Sequence, residues 1–179
     1  MNEDFDNLIV TQAIKNAGNL EVAFKTYQLW QEILNHLVND FFVKLKPKLL
    51  SELPNFGGEW FIELAKPSNM RTAMNIHLHN SLWQNLIFGL GDYDGDRVHF
   101  FVQYQYHNRM NLYQFVADKL NGKANLDIWY QRFVMPYNTW NLTIDGIMAV
   151  YEPTQLIDYC TSKLVELAII INDYFNLNS

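Results

Sequence analysis

Hydrophobic and polar positions follow two different periods along the chain, and these periods predict its elements. Apolar residues recur every three or four positions in several segments, which is the spacing of one helix face. These segments predict a short helix over residues 5–14, a long helix from about Leu20 to Leu45, and a long terminal helix after Pro153. A shorter helix is predicted to begin near Asn111 and to end at Asn121-Gly122.

Four apolar runs between the first long helix and Asn111 predict β-strands. They read EWFIELA, TAMNIHLHN, LWQNLIFGL and RVHFFVQYQY, and short polar links join them. Such a series is typical of an antiparallel meander. Residues 124–150 are rich in aromatic side chains that fit a strand, a helix or a packed loop. We expect one or two further strands there, the last around Ile147 to Tyr151.

Grouped strands flanked by helices, without β-α-β alternation, predict the α+β class. The expected architecture is an antiparallel meander of four to six strands packed by a long N-terminal helix, a short central helix and a long C-terminal helix. A length of 179 residues suits a single domain. We therefore expect one domain over residues 1–179, in which residues 1–18 form a loosely packed helical arm.

Composition adds a large core and an acidic surface to this picture. The chain is 49% hydrophobic and contains 12 Phe, 10 Tyr and 5 Trp, so the core needs no disulfide or metal to form. The formal net charge is −6, and no run of Lys or Arg is present. Direct contact with nucleic acid is therefore not expected, because the overall field repels phosphate.

Secretion signals, membrane spans and cofactor motifs have recognisable sequence patterns, which this sequence lacks. The N-terminus MNEDFDNLIV has no basic segment before an apolar one, as a secretion signal would. The longest apolar run, LVELAIII, is too short to span a bilayer. No P-loop, G-x-G-x-x-G or G-x-S-x-G motif occurs. We expect a cytoplasmic protein without membrane contact and without a cofactor.

The stretch GDYDGDR places three carboxylates at alternate positions between two predicted strands. A calcium loop that began at Asp92 would need Gly and Glu at the positions that Arg97 and Gln103 occupy. Asp94-Gly95 is instead a strong signal for a tight hairpin turn. The stretch therefore predicts a solvated turn.

Three histidines are the metal candidates of the sequence. His77 and His79 share one face of a predicted strand, and His99 lies on a later strand. Imidazoles can begin a zinc or iron site, but a site needs further ligands. In the strand between them we expect Trp83, Asn85 and Ile87 on the corresponding face, and none of these completes a site. A half-solvated polar face is favoured, with a metal-dependent hydrolase as the alternative.

Three other residues carry functional groups that could support catalysis, but their positions favour structural roles. Glu63 and Lys66 resemble the acid and lysine of PD-(D/E)XK nucleases, but two residues separate them where that motif has one. On a strand they would also point to opposite faces. Cys160, the single cysteine, falls on the apolar stripe of the terminal helix. A buried thiol there behaves as a small hydrophobic group.

Five aromatic residues lie within twelve positions and are the binding candidates. Their favoured role is to fill the core beside the sheet. The alternative role is a recognition surface for a protein partner, since Trp and Tyr anchor many interfaces. The five residues are Trp129, Tyr130, Phe133, Tyr137 and Trp140.

The order of elements resembles a known family. The segments YQLWQEILNHLVNDF, GGEWFIELA, RVHFFVQY, LYQFVADKL and IWYQRF are similar to those of a small uncharacterised domain that accompanies restriction-endonuclease-like PD-(D/E)XK proteins. The resemblance covers about Tyr27 to Phe175. It implies a free-standing accessory or recognition module linked to bacterial defence or DNA processing, and it assigns a role to no individual residue.

Together these features favour a non-enzymatic protein that binds another protein, such as an inhibitor, an immunity protein or an accessory subunit. Its acidic surface would favour a basic partner, and a homo-oligomer is compatible with the same features. Two alternatives stay open. One is a metal-dependent hydrolase or nuclease-like enzyme that uses the histidine face, and the other is a small-ligand-binding domain.

Overall fold

The structure is a computed structural model that describes residues 3–65, 75–92, 98–104, 110–125, 128–134, 137 and 144–178. The chain divides into two compact units, Met1–His36 and Leu37–Ser179. The predicted arm ended at residue 18, whereas the first unit extends to His36 and so includes part of the long helix.

The first unit contains α1 (Glu3–Ala13) and the beginning of α2 (Ala17–Glu52). Asn16 caps α2, because its side-chain Oδ1 accepts a hydrogen bond of 2.9 Å from the backbone N–H of Asn19. Asn19 Nδ2 in turn donates to the carbonyl of Gln12 at 2.8 Å. The chain turns at residues 14–16, and α2 begins three residues before its predicted start.

Helix α2 also continues beyond its predicted end at Leu45. Pro47 lies inside the helix, where it removes one backbone hydrogen bond. Leu45 and Leu49, on either side of the proline, are both fully buried in the core. Burial of these side chains outweighs the local cost, and the helix reaches Glu52.

A six-stranded antiparallel sheet forms the centre of the second unit. Its strands are β1 (Trp60–Ala65), β2 (Asn75–Asn80), β3 (Leu86–Asp92), β4 (Val98–Tyr104), β5 (Lys123–Ala124) and β6 (Ile128–Arg132). The spatial order is β1-β2-β3-β4-β6-β5. The first four strands form the predicted meander. The chain then passes through a helix, places β5 at the edge of the sheet, and returns so that β6 pairs with β4.

Among the described residues, three helices follow the meander: α3 (Met110–Leu120), α4 (Ile144–Tyr151) and α5 (Thr154–Leu177). Helix α4 corrects the strand predicted around Ile147 to Tyr151. Gly146 and Val150 are buried while Asp145 and Met148 are exposed, which is a helical period of burial. Branched and aromatic residues gave this segment strand propensity, but packing against α5 selects the helix.

The core lies against one face of the sheet, where α3, α5 and the second half of α2 contribute side chains. Fully buried residues come from each layer: Phe41 from α2, Phe88 and Phe100 from the sheet, Tyr113 from α3 and Leu164 from α5. This arrangement confirms the α+β class with helices grouped on an antiparallel sheet. It leaves the opposite sheet face to carry the histidines.

Candidate functional site

Sheet register brings His77, His79 and His99 to the face opposite the core. In β2, Ile76 and Leu78 are buried in the core, and the two histidines alternate with them. His77 lies opposite Gly89, and Gly89 lies opposite Phe101. Since Phe101 and His99 are two residues apart on β4, all three imidazoles share this face, which we call the histidine face.

A compact polar and aromatic group occupies one end of the histidine face. The rings of Phe61 and His79 stack with centroids 4.6 Å apart and an interplanar angle of 7°. His79 Nε2 lies 3.9 Å from Glu63 Oε1, and Glu63 is the register partner of His77 on β1. The antiparallel pairing of β1 with β2 therefore assembles one carboxylate, two imidazoles and one phenyl ring.

Burial lowers the pKa of His77 below its usual 6.5, and the negative charge of Glu63 opposes this shift without cancelling it. The imidazole is thus neutral near pH 7, and one of its nitrogens can accept a hydrogen bond. Its ring also lies edge-on to Phe101, with centroids 5.5 Å apart. A neutral imidazole of this kind can bind a ligand donor or act as a base.

A groove of about 530 Å³ opens beside this group, between the histidine face and the turn that joins β2 to β3. Volumes of this size accommodate small molecules. Its walls combine aromatic rings, amide, hydroxyl and carboxylate groups and two aliphatic side chains. The lining residues are Phe61, Glu63, His77, His79, Asn80, Ser81, Trp83, Gln84, Asn85, Leu86 and Ile87.

His99 lies away from the other two imidazoles. It is 5% exposed and its ring is 5.7 Å from that of Tyr130. Strand β3 lies between β2 and β4 and presents Ile87, Gly89 and Gly91 to this face, none of which is a ligand. Trp83 and Asn85, expected on that strand, precede it: Trp83 is buried and Asn85 adopts a positive φ of 63°.

Within the part of the chain that the structure describes, no three His, Cys, Asp or Glu side chains are arranged to hold a metal ion. His77, His79 and Glu63 are thus neighbours on the sheet, but they do not form such a group. Of the nuclease-like pair, Glu63 is described and exposed, and Lys66 lies outside the described residues. The turn that the sequence predicts at GDYDGDR has its residues 93–97 outside the described part of the chain as well.

The five aromatic binding candidates differ in how deeply their side chains are buried. Trp129 is fully buried and Phe133 nearly so, and Phe133 stacks on Phe100 with centroids 4.4 Å apart. Both belong to the core, the role that the sequence favoured. Tyr130 and Tyr137 are half-buried, so a binding role for them stays a prediction. Trp140 lies outside the described residues.

Large apolar side chains of the first unit form an exposed surface that the sequence did not predict. The helix predicted from about Leu20 to Leu45 was expected to pack on the sheet, but within it Tyr27 is 79% and Trp30 39% exposed. We define the apolar arm surface as the exposed large hydrophobic residues of this unit: Leu8, Ile9, Val10, Ile14, Leu20, Val22, Phe24, Tyr27, Leu29, Trp30 and Ile33. The missed signal was the length of the stripe, which exceeds what one core can cover.

The fold and these surfaces define an α+β protein with a six-stranded antiparallel sheet, an apolar helical unit and a polar groove. Comparison of the chain with protein-family models, with curated proteins and with solved structures found no match. Among the described residues, no helix combines the length and the apolar character needed to cross a membrane.

Proposed function

We propose that this chain is a non-enzymatic protein-binding module and that the apolar arm surface is its binding site. The observation that carries the proposal is the exposure of eleven large hydrophobic side chains within the first 36 residues. Exposed apolar patches of more than a few hundred Å² usually mark an interaction site, and Leu20, Phe24 and Tyr27 share one side of α2 by their helical spacing. Within this class, the acidic charge and the family resemblance favour an inhibitor, an immunity protein or an accessory subunit.

The packing of the first unit supports this proposal. Among its described side chains only Leu34 is buried, so α1 and the start of α2 do not cover each other's apolar residues. An isolated helix as short as α1, which has 11 residues, is marginal in water, and most helical stability comes from packing of an apolar face. A partner that covers the surface would supply that packing.

A capture experiment with a matched control tests the proposal. The full chain with a C-terminal tag serves as bait in a lysate of its source cells, beside the double variant Phe24→Gln with Tyr27→Gln. Glutamine preserves helix propensity and adds no charge. Tyr151→Gln, which removes a 60% exposed tyrosine from α4, is the control. We expect a stoichiometric partner with wild type and with the control, and its loss with the double variant.

If the double variant still captured the partner, the binding site would lie elsewhere on the protein. A different result would be that wild type, the double variant and the control are all found only as monomers with neither a bound protein nor a bound metabolite. That result would reject the protein-binding function itself. Phe24 and Tyr27 are exposed, so the double variant should fold as wild type does, and circular dichroism checks this.

The groove on the histidine face supports a second candidate, a small-ligand-binding domain. Its volume of about 530 Å³ and its neutral imidazole suit a small polar molecule that donates a hydrogen bond. A thermal-shift screen of metabolites tests this candidate, with Ile87→Trp to fill the groove and Met148→Trp on α4 as control. A ligand of this site should stabilise wild type and the control but not Ile87→Trp. A shift that persists in Ile87→Trp would place the ligand elsewhere.

A further inference from the structure

The apolar arm surface contains a seam along α2 with the heptad spacing of helix pairs. With Leu20 taken as position a, Tyr27 and Leu34 also occupy a, and Ala23 and Trp30 occupy d. Leu34 is buried, whereas Leu20, Tyr27 and Trp30 are exposed. The seam is therefore a packing surface that remains uncovered over its first two heptads.

The charged residues in the first part of α2 lie on the side of the helix away from this seam. Between Asn19 and Leu34 no charged residue occupies an a, d, e or g position, and Glu21, Lys25 and Glu32 occupy b and f positions. Glu21 and Lys25 pair with each other at 2.6 Å on that outer face. Charges at e and g normally decide which partner a helix accepts. Without them, nothing opposes the pairing of two identical helices.

The exposed area is large enough for a stable dimer. Five seam and flanking residues of α2 are between 38% and 79% exposed: Leu20, Phe24, Tyr27, Trp30 and Ile33. With ordinary side-chain areas they present on the order of 600 Å², and Leu8 and Ile9 of α1 add about 200 Å². The sum of about 800 Å² is the area that each partner buries in an interface of standard size.

We infer that the apolar arm surface binds a second copy of this chain, so that α1 and the first part of α2 from two copies form a four-helix bundle. The inference rests on the proposed function and names the partner for the same surface. An uncharged heptad seam is self-complementary, as a twofold interface requires. An anionic lipid surface is a poorer occupant, because the side chains of residues 3–36 include five carboxylates and only two lysines.

Sedimentation of the full chain over a range of concentrations tests the inference. We expect a reversible dimer for wild type and for Tyr151→Gln. The double variant Phe24→Gln with Tyr27→Gln should dissociate with a Kd raised about 100-fold or more, since central aromatic residues dominate such interfaces. Circular dichroism of each variant separates dissociation from unfolding.

Cross-linking at residue 27 identifies the surface directly. Residue 27 is at the middle of the segment 17–36, so parallel and antiparallel pairing both bring two copies of it together. Tyr27→Cys should form a covalent dimer with a short bis-maleimide, and Tyr151→Cys should not. The native Cys160 is fully buried and does not compete. Leu20→Cys should cross-link only if the two copies of α2 are parallel.

The outcomes separate this inference from the function on which it rests. A wild type that is monomeric at every concentration, yet captures a different protein through Phe24 and Tyr27, would overturn the dimer and leave the binding function intact. A dimer that is unaffected by the double variant and not cross-linked at residue 27 would also overturn it. A monomer that captures no partner would remove both.

Discussion

At the scale of single residues, Cys160 is a thiol whose chemistry the fold suppresses. It is fully buried on α5, and this burial raises its pKa well above the usual value. We expect a thiol reagent such as Ellman's reagent to label the folded protein far more slowly than the urea-unfolded protein, at neutral pH. Rapid labelling of the folded protein would mean that α5 opens readily, or that the thiol is accessible.

His77 gives the stability of the protein a predictable dependence on pH. Its pKa is lower in the folded chain than in the unfolded chain, so the unfolded chain binds more protons in slightly acidic solution. The free energy of unfolding contributed by His77 is complete above the unfolded pKa of about 6.5, and it decreases as the pH falls from there towards the folded pKa. Below both pKa values it changes no further.

Urea unfolding of wild type and His77→Gln between about pH 5 and pH 8 measures this contribution. Wild type should lose more stability than the variant as the pH falls below about 6.5. His36→Gln, at an exposed position of α2, controls for the loss of an imidazole. Equal pH profiles for wild type and His77→Gln would show that His77 is protonated as easily in the folded chain as in the unfolded one.

The sequence was informative about residue chemistry and less so about exposure. Cys160 was assigned to the core from the apolar stripe of its helix, core filling was the favoured role for Trp129, and both are fully buried. Tyr27 has equally apolar helical neighbours and is largely exposed. Periodicity shows which residues share a helix face, but it does not show how far along the helix the core extends. That extent depends on contacts that are distant in sequence.

At the scale of elements, two glycines of β3 allow a matched test of sheet packing. A Cβ added to Gly89 would overlap the backbone carbonyl of Ile76 on β2, whereas a Cβ added to Gly91 would meet the side chain of Asn75 at 3.1 Å. A side chain can move aside, and a backbone carbonyl in a paired strand cannot. Gly89→Ala should therefore destabilise the protein by about 2–4 kcal/mol and Gly91→Ala by less than about 1 kcal/mol.

Denaturant unfolding measures the loss of stability in both variants. The test is which of the two losses is larger, more than the size of either one. If Gly91→Ala were the more damaging change, the close approach of β2 to β3 at Gly89 would be incorrect.

The sheet contacts also explain why Phe101 lies on the histidine face. Its cross-strand partner Gly89 has no side chain, which leaves space for the phenyl ring beside His77.

Local patterns predicted most elements because their causes are local. Repeated apolar spacing located α3 and α5, and alternating runs located the strands of the meander. The exceptions were decided by tertiary packing. Leu49 holds α2 in the core beyond Pro47, and Val150 faces inward from a helix where branched residues suggested a strand. The position of β6 between β4 and β5 also depends on long-range pairing.

At the scale of the whole molecule, the two compact units should differ in stability. Between residues 6 and 36 the described side chains include one buried residue, Leu34, while α5 alone buries nine. Backbone amides that depend on little tertiary packing open more often and exchange their hydrogens sooner. We expect amides of α1 and the first part of α2 to exchange faster than those of α5 and of the central strands β3 and β4.

Hydrogen exchange read by mass spectrometry measures this difference at several protein concentrations. In dilute solution the segment 8–33 should exchange first. Because dimer formation would cover the apolar arm surface, its protection should rise with concentration in wild type but not in the double variant Phe24→Gln with Tyr27→Gln. Protection in α5 should not depend on concentration. Full protection of segment 8–33 in the most dilute sample would mean that its helices are stable without a partner.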